Sequence, residues 1–243
     1  MASPRDPDAD SPVWCVVVAA GSGSRFGGAK QFAPLGDASV LEQSVRAAAR
    51  SCDGVVVVAH PDSVGEVRDL LAGVDRVVAG GTTRSESSRA GVEVVPQQAR
   101  VILVHDAARP LATPELFGRV IAEVRGGADG AVPVVPVSDT IRDLEGELVD
   151  RDRLVAIQTP QGFVAEAIRR AVATGAEATD DAALVAGAGG NISFVAGESA
   201  NRKITTREDL LVAEALMAAR NSPGAAESGG DSEHTDDGSG VAG

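Results

Sequence analysis

Residues 13 to 32 read VWCVVVAAGSGSRFGGAKQF, in which an apolar run passes directly into a glycine-rich loop. Continuous apolar runs of this length are typical of strands that are buried on both faces of a sheet. The loop follows the carboxyl end of the predicted strand, where the backbone N–H groups of small residues can hold a phosphate. The sequence therefore predicts a buried strand over the apolar run and a candidate phosphate-binding site at its carboxyl end.

The glycine-rich loop matches neither of two common phosphate-binding motifs. A dinucleotide fingerprint requires glycine at the position of Phe26, and a P-loop requires Gly-Lys-Ser/Thr, which this loop lacks. What the loop does carry is Arg25 and Lys30, two cations suited to the oxygens of a triphosphate. The alternative is a surface loop with two solvated cations.

Strand and helix signals alternate beyond this loop. Further apolar runs occupy residues 55–59, 76–79, 101–105, 131–135 and 192–196. Helix starts are indicated by capping boxes at Ser39 with Glu42 and at Ser63 with Glu66, by Thr113 before Pro114, and by Thr206. The pattern predicts an α/β fold with a doubly wound, mainly parallel sheet, helices on both faces and a ligand crevice at the carboxyl ends of the strands.

One segment interrupts this alternation. Residues 137 to 160 read VSDTIRDLEGELVDRDRLVAIQTP, with two charge-rich, extended halves around Glu145 and Gly146. This pattern predicts a projecting β-hairpin arm over about residues 137–158. Because so polar an arm has no core of its own, it is either solvated or packed on another subunit, and we expect the latter.

Composition limits the classes of function. The chain has 243 residues, of which 44% are hydrophobic, and residues 13–220 are enough for one domain of this type. A net charge of -13 argues against nucleic-acid or anionic-membrane partners, and 2% aromatic residues leave few for base-stacking surfaces. Cys15 and Cys52 do not indicate a disulfide framework.

The two ends of the chain differ in composition from the rest. Residues 1–12 and the acidic residues 221–243 are predicted to be disordered tails, because neither has apolar periodicity. The sequence contains no apolar stretch of about 18 residues and its start is unlike a signal peptide, so we expect a cytoplasmic protein.

The sequence VHDAARP at residues 104–110 ends another predicted strand and offers a second group of candidate residues. Asp106 there can hold Mg²⁺ against phosphates, and Arg109 can bind a second anion. Alternatively, Asp106 caps a turn and Arg109 marks a bend before Pro110. None of the histidines is interpreted as a metal ligand.

Seven motifs in order resemble one known family. They are AAGSGSRF with Lys30-Gln31, GGTTRSESS (80–88), HDAARP, SDTI (138–141), QTPQGF (158–163), ATDDA (178–182) and NRKITTREDL (201–210). Together they resemble the 2-C-methyl-D-erythritol 4-phosphate cytidylyltransferases of the non-mevalonate isoprenoid pathway, over residues 13 to about 220. The resemblance implies a Rossmann-like nucleotidyltransferase sheet, a homodimer, and transfer of CMP from CTP to methylerythritol phosphate with release of pyrophosphate.

The resemblance also implies roles for individual residues. Arg25 and Lys30 match the cations that stabilise the transition state, Arg151 and Lys203 match residues that position the attacking phosphate, and Asp106 matches an aspartate associated with Mg²⁺. Positions around the cytidine are matched by Ala19, Ala20, Gly21, Gly81, Thr82, Ser87 and Ala107. Contacts to the second substrate are matched by Arg109, Thr140, Thr159 and Thr179. Some members of the family have Asp in place of Thr82.

Two other functions remain open at this point. The related ribitol-5-phosphate cytidylyltransferases share the loop and the arm, but they typically have HDSVRP where this chain has HDAARP. A nucleotide-binding sensor without turnover is the second alternative. A sensor would not require cations on an attacking phosphate, and this chain carries Arg151 and Lys203 together with Arg25, Lys30 and Asp106. The sequence therefore favours the enzyme.

Overall fold

A computed structural model describes residues 11–21, 23–71 and 73–221. The helices, in chain order, are α1 Val40–Ala49, α2 Val64–Leu70, α3 Arg84–Glu93, α4 Pro114–Arg125, α5 Ala165–Ala173, α6 Asp181–Gly187 and α7 Arg207–Asn221. The strands are β1 Val13–Ala19, β2 Pro34–Leu35, β3 Ala38–Ser39, β4 Gly54–Ala59, β5 Arg76–Ala79, β6 Val101–Asp106, β7 Gly130–Pro136, β8 Ile141–Arg142, β9 Leu148–Val149, β10 Val155–Ile157, β11 Gln161–Val164 and β12 Ile192–Ala196. Apart from residues 11, 12 and 221, the predicted tails lie outside the described residues.

Eight strands form the main sheet, in the order β10-β7-β11-β6-β1-β4-β5, with β12 also paired to β7. The central strand β1 is parallel to β4 and β6, and β12 is parallel to β7. The exceptions are β11, which is antiparallel to β6 and β7, and β10, which is antiparallel to β7. The predicted mainly parallel sheet is confirmed, and every strand predicted from an apolar run is present within a residue or two of its expected bounds.

Helices cover both faces of this sheet. Side chains that alternate along β1 point into two separate clusters, so Val17 belongs to one and Val16 to the other. The first cluster is completed by α1 and α4, and the second by α3, α5 and α6. Burial on both faces explains why these strands have continuous apolar sequences. It also leaves only the ends of the strands free to build a polar site.

Three of the four predicted helix caps are confirmed. Ser39 and Glu42 form a capping box, the Thr113 side chain accepts a hydrogen bond from the Leu116 N–H, and the Thr206 hydroxyl accepts one from the Asp209 N–H. The cap predicted at Ser63 is wrong. Residues Pro61–Ser63 form a short 3₁₀ turn capped by His60, so Ser63 has φ -110° and ψ 4° rather than the extended backbone of a capping residue.

The arm is only partly a hairpin. Strands β8 and β9 pair in antiparallel register through two residue pairs, with Gly146 at a positive φ of 93° in the turn between them. The second half was predicted to be extended throughout, and that prediction is wrong. Residues Arg151–Arg153 form a 3₁₀ turn because Asp150 accepts a hydrogen bond from the Asp152 N–H, and β10 then pairs with β7 of the main sheet instead of with the first half.

Candidate active site

A cavity of about 240 Å³ opens at the carboxyl ends of β1 and β6. Its wall is formed by the glycine-rich loop, the segment that leads into α3, the residues after β6, and Lys203. Ten of the predicted site residues line it: Ala19, Ala20, Gly21, Lys30, Gly81, Thr82, Ser87, Asp106, Ala107 and Lys203. Residues far apart in sequence thus meet at the edge of the sheet where a ligand is expected.

Lys30 and Lys203 are the only lysines in the chain, and both line this cavity. The Lys30 ammonium donates a hydrogen bond to the carbonyl oxygen of Ile204 at 2.8 Å. The Lys203 ammonium lies 2.7 Å from Oδ2 of Asp106. The neighbouring Ile204 N–H donates to the Ala108 carbonyl at 2.8 Å, which fixes the segment that carries Lys203 against the end of β6.

Asp106 is the carboxylate around which these cations gather. Its Oδ1 lies 3.5 Å from a guanidinium nitrogen of Arg84, while Oδ2 contacts Lys203. Burial alone would raise the pKa of Asp106, but the positive charges of Lys203 and Arg84 outweigh it and hold that pKa well below its usual range. The carboxylate is therefore ionised at neutral pH.

The pKa of Lys30 is shifted in the direction expected for a crowded cation site. Burial lowers the pKa of Lys30, and the positive charge of Lys203 lowers it further, against the opposing effect of Asp106. A polyanionic ligand placed between the two ammonium groups would relieve this repulsion. The cavity is thus electrostatically prepared for phosphate.

Sequence analysis missed the contribution of Arg84 and Asp181. The Arg84 guanidinium lies 2.7 Å from Oδ2 of Asp181, whose side chain is fully buried. Arg84 is the first residue of α3 and Asp181 the first residue of α6, so the two helix starts face each other beside the cavity. Both residues lie within the motifs GGTTRSESS and ATDDA, but nothing local in either motif indicates the pairing.

The backbone of Asp106 is held by a buried polar relay. The Asp106 N–H donates to the Thr159 hydroxyl at 3.0 Å, and this hydroxyl lies 3.1 Å from Nδ1 of His105. The opposite ring nitrogen, Nε2, lies 3.2 Å from the Arg109 carbonyl oxygen. The Arg109 carbonyl requires a proton on Nε2, and in the neutral ring Nδ1 then accepts from the Thr159 hydroxyl. Burial lowers the pKa of His105 to about 4, which agrees with that neutral form.

Thr159 and Arg109 were predicted to contact the second substrate, and neither lines the cavity of the described chain. Thr159 is buried, and its hydroxyl is already engaged by Asp106 and His105. The Arg109 guanidinium donates to the carbonyl oxygens of Asn201 and Ile157, at 2.8 and 3.1 Å. In this arrangement both side chains bond to protein groups next to the site. Their direct contact with substrate stays a prediction.

Four other predicted residues also lie outside the cavity lining within the described ranges: Arg25, Thr140, Arg151 and Thr179. Arg25 is exposed in the 3₁₀ turn Ser24–Phe26, close enough for its charge to lower the pKa of Lys30. Thr140 and Arg151 are exposed on the arm, where Arg151 donates to the Ser138 carbonyl. The chain therefore brings together the residues predicted around the cytidine, with Lys30, Asp106 and Lys203. Of the residues assigned to the second substrate, Lys203 alone lines the cavity within the described ranges, and Arg25, assigned to the triphosphate, does not.

The wall opposite the glycine-rich loop is shaped by Gly81 and its neighbours. A Cβ added to Gly81 would come within 2.3 Å of the Glu86 Cβ, so only glycine fits there. The Ser87 hydroxyl accepts from the Gly81 N–H at 3.2 Å. The Thr82 hydroxyl donates to the Glu86 carboxylate at 2.7 Å, so its predicted contact with cytosine would compete with that bond.

The side chains at the cavity that could bind a metal ion limit which metal is suitable. Among the described residues, no group of three or more His, Cys, Asp or Glu side chains converges on a metal position. Asp106 is the one predicted metal ligand, and Mg²⁺ commonly binds through one or two carboxylates, water and substrate phosphates. The site is therefore compatible with a Mg²⁺ ion that arrives with a nucleotide, and Asp106 stays its predicted protein ligand.

The described residues contain no helix that is both long enough and apolar enough to cross a membrane. Cytoplasmic location stays a prediction.

Comparisons with known proteins agree with the geometry. The sequence model of the family described as IspD, 2-C-methyl-D-erythritol 4-phosphate cytidylyltransferase, matches residues 13–219. An enzyme of that name from Rhodococcus jostii is 44% identical over 220 residues, which cover 86% of this chain and 97% of the relative. One from Rubrobacter xylanophilus is 42% identical over 225 residues, covering 86% and 96%.

Solved structures agree as well. The crystal structure of 2-C-methyl-D-erythritol 4-phosphate cytidylyltransferase from Thermus thermophilus matches with a TM-score of 0.72 and 33% identity, covering 84% of this chain and 98% of that one. The matched residues, 13–219, include the sheet, the cavity lining and the arm. The chain therefore belongs to the 2-C-methyl-D-erythritol 4-phosphate cytidylyltransferase family.

Proposed function

We propose that this protein transfers CMP from CTP to 2-C-methyl-D-erythritol 4-phosphate, giving 4-CDP-2-C-methyl-D-erythritol and pyrophosphate, in isoprenoid precursor synthesis. The observation that carries the proposal is the cluster of Lys30, Lys203 and Arg84 around Asp106, in a cavity at the carboxyl ends of the strands. Membership of the family supports the identity of both substrates.

The chemistry needs positioning and charge neutralisation more than it needs a covalent intermediate. A phosphate oxygen of the second substrate forms a bond to the α-phosphorus of CTP, and the bond from that phosphorus to the bridging oxygen of pyrophosphate breaks. The attacking phosphate is already ionised, so no general base is required. Lys30, held by the Ile204 carbonyl, and the nearby Arg25 meet the negative charge that develops on the triphosphate.

We further propose Mg²⁺ as the cofactor, with Asp106 as its protein ligand. When bound with the nucleotide, the ion would neutralise phosphate charge and favour departure of pyrophosphate. Lys203 holds Oδ2 of Asp106, so the carboxylate is fixed in orientation before any ligand arrives. The Thr159 hydroxyl fixes the same residue through its backbone N–H.

The second substrate is proposed to bind between two copies of the chain. Thr140 and Arg151, assigned to that substrate, lie on the arm and not at the cavity of their own chain as described. The arm also exposes apolar side chains, with Leu144 fully exposed and Leu148 65% exposed. Exposed apolar area on a polar arm is typical of a protein interface. A homodimer would cover it and bring Arg151 to the partner's cavity.

The decisive experiment is pyrophosphate release from CTP, measured without acceptor, with methylerythritol phosphate and with ribitol 5-phosphate. We expect release with methylerythritol phosphate alone. Release with ribitol 5-phosphate instead would establish the related activity. Binding of CTP with no release under any of the three conditions would indicate a nucleotide sensor.

A further inference from the structure

Arg84 occupies an unfavourable position that its two acidic partners compensate. It is the first residue of α3, where the helix dipole disfavours a cation, and three-quarters of its side chain is buried. Asp181 and Asp106 together raise the pKa of Arg84 against the opposing effect of burial. The guanidinium therefore divides its hydrogen-bonding capacity between a fully buried carboxylate and the carboxylate of the cavity.

The two contacts of Arg84 are unequal. The contact with Asp181 is 2.7 Å, whereas that with Asp106 is 3.5 Å, at the limit of a hydrogen bond. Arg84 is thus anchored on Asp181 and only weakly engages Oδ1 of Asp106. A guanidinium without that anchor could move toward Asp106 and pair with it through two nitrogens, the arrangement that arginine and carboxylate prefer.

Asp181 itself is held rigidly at the start of α6. The preceding residue, Asp180, caps the helix by accepting from the Ala183 N–H at 2.9 Å and also accepts from the Gln161 side chain at 3.0 Å. Gln161 in turn accepts from the Ala182 N–H at 3.1 Å. These bonds fix the helix start, so the Asp181 carboxylate has a defined place from which to restrain Arg84.

We propose that Asp181 is a positioning residue of the nucleotide site: by anchoring Arg84, it keeps Oδ1 of Asp106 open to the divalent cation that accompanies the nucleotide. Lys203 occupies Oδ2, so Oδ1 is the oxygen that the cation can use. Without Asp181, Arg84 would compete with the cation for this oxygen. The inference rests on the proposed function, and it concerns a residue that does not line the cavity.

The test compares CTP binding by calorimetry with and without Mg²⁺, in the absence of the second substrate. For each protein the measured quantity is the ratio of the two affinities, which isolates the contribution of the cation from direct contacts to phosphate. We expect Asp181→Asn to lower this ratio by about 10-fold, the effect of one charge-assisted contact. The double variant Arg84→Gln/Asp181→Asn should have a ratio above that of wild type, because no guanidinium then competes.

A matched control is Glu177→Gln, which neutralises an exposed carboxylate bonded to the Thr83 hydroxyl at the start of α3 but leaves the Arg84 anchor in place. It should leave the ratio unchanged. An equal loss of the ratio in Asp181→Asn and in the double variant would overturn the inference. If Asp181→Asn alone does not fold, the double variant decides: a ratio above that of wild type supports the inference, because a competing guanidinium has been removed, and a ratio at or below that of wild type overturns it.

The failure of the inference and the failure of the proposed function give different results. If the wild-type protein does not bind CTP with Mg²⁺, the proposed function is wrong and the inference is lost with it. If the wild-type protein binds but Asp181→Asn has the wild-type ratio, only the inference is wrong.

Discussion

At the cavity and beside it, the charges of Asp106, Lys203, Arg84 and Asp181 are paired within a single chain, through contacts of 2.7 to 3.5 Å. On the arm, by contrast, Leu148 is 65% exposed and Arg151 bonds only to groups of its own loop and turn among the described contacts. A nucleotide site whose charged groups are already paired within one chain is ready for that ligand. A region left open gains order by packing on something else, and we expect that to be a second copy.

Lys30→Ala tests the cavity, the first of the two regions compared, and should have the largest effect. We expect turnover to fall by about 10²-fold or more, because Lys30 meets charge that develops at the α-phosphorus. The melting temperature should stay within a few degrees of wild type. Arg170→Ala, which removes an exposed cation paired with Glu166 on α5, is the control and should leave turnover unchanged. Near-normal turnover by a folded Lys30→Ala protein would refute the catalytic role of this loop.

The His105 relay predicts a pH dependence of stability. His105 has a folded pKa of about 4 against an unfolded value of about 6.5, so acid protonates the unfolded state first. Stability from this group is complete above pH 6.5 and is lost as the pH falls toward 4. Between pH 7.5 and 5 the loss should be about 2 kcal/mol, or about 30-fold in the folding constant.

Urea unfolding at several pH values measures this loss, and His105→Gln is the control. Glutamine can also donate and accept, but it does not titrate, so most of the decline over this pH range should disappear. The carboxylate of Asp106 titrates well below this window, so its contribution to the slope is negligible. An identical decline in wild type and His105→Gln would show that His105 is not the responsible group.

Leu148→Asp tests the arm, the second of the two regions compared. If the arm packs on a second copy, a charge at this position should weaken dimerisation by about 10-fold or more, since it replaces buried apolar area. Leu211 on α7 has the same exposed fraction, 65%, and Leu211→Asp is therefore the matched control. Sedimentation velocity should detect dissociation for the arm variant alone. Equal behaviour of the two variants would contradict an interface at the arm.

The smallest expected effect is the altered pKa of Lys30. Because the chain has two lysines, ¹³C-dimethylation gives two side-chain NMR signals, and Lys30→Ala assigns them. The Lys30 signal should titrate below the ordinary value of about 10.4 and shift upward when CTP binds, because phosphate relieves the repulsion from Lys203. A Lys30 pKa that is ordinary and insensitive to CTP would mean that the two ammonium groups do not share an anion site.

The sequence predicted the main sheet because its strands are buried on both faces and therefore carry unbroken apolar runs. Strand β11 was not recognised, since QGFV is short and lies within a motif that was interpreted as functional. The prediction of a helix cap at Ser63 was wrong because it used only the local sequence. A local cap pattern cannot show that an upstream residue, His60, already starts a helical turn.

The site was predictable where one local segment carries the chemistry, as in the glycine-rich loop and in HDAARP. It was not predictable where function depends on pairs that only the fold creates. Arg84 and Asp181 are 97 residues apart and meet because α3 and α6 start beside the same sheet edge. Thr159 was assigned to substrate from its motif, and only the structure places its hydroxyl between Asp106 and His105.

The most direct test of the central claim, that the cavity of one chain is completed by the arm of another, is complementation between Lys30→Ala and Arg151→Ala. Each variant alone should be nearly inactive. In a mixed dimer, one site carries both defects and the other carries neither, and random pairing makes about half of the dimers mixed. Co-expression with differential tags should therefore return about a quarter of wild-type activity. Activity no greater than the sum of the two separate variants, with mixed dimers confirmed, would show that each arm serves its own chain.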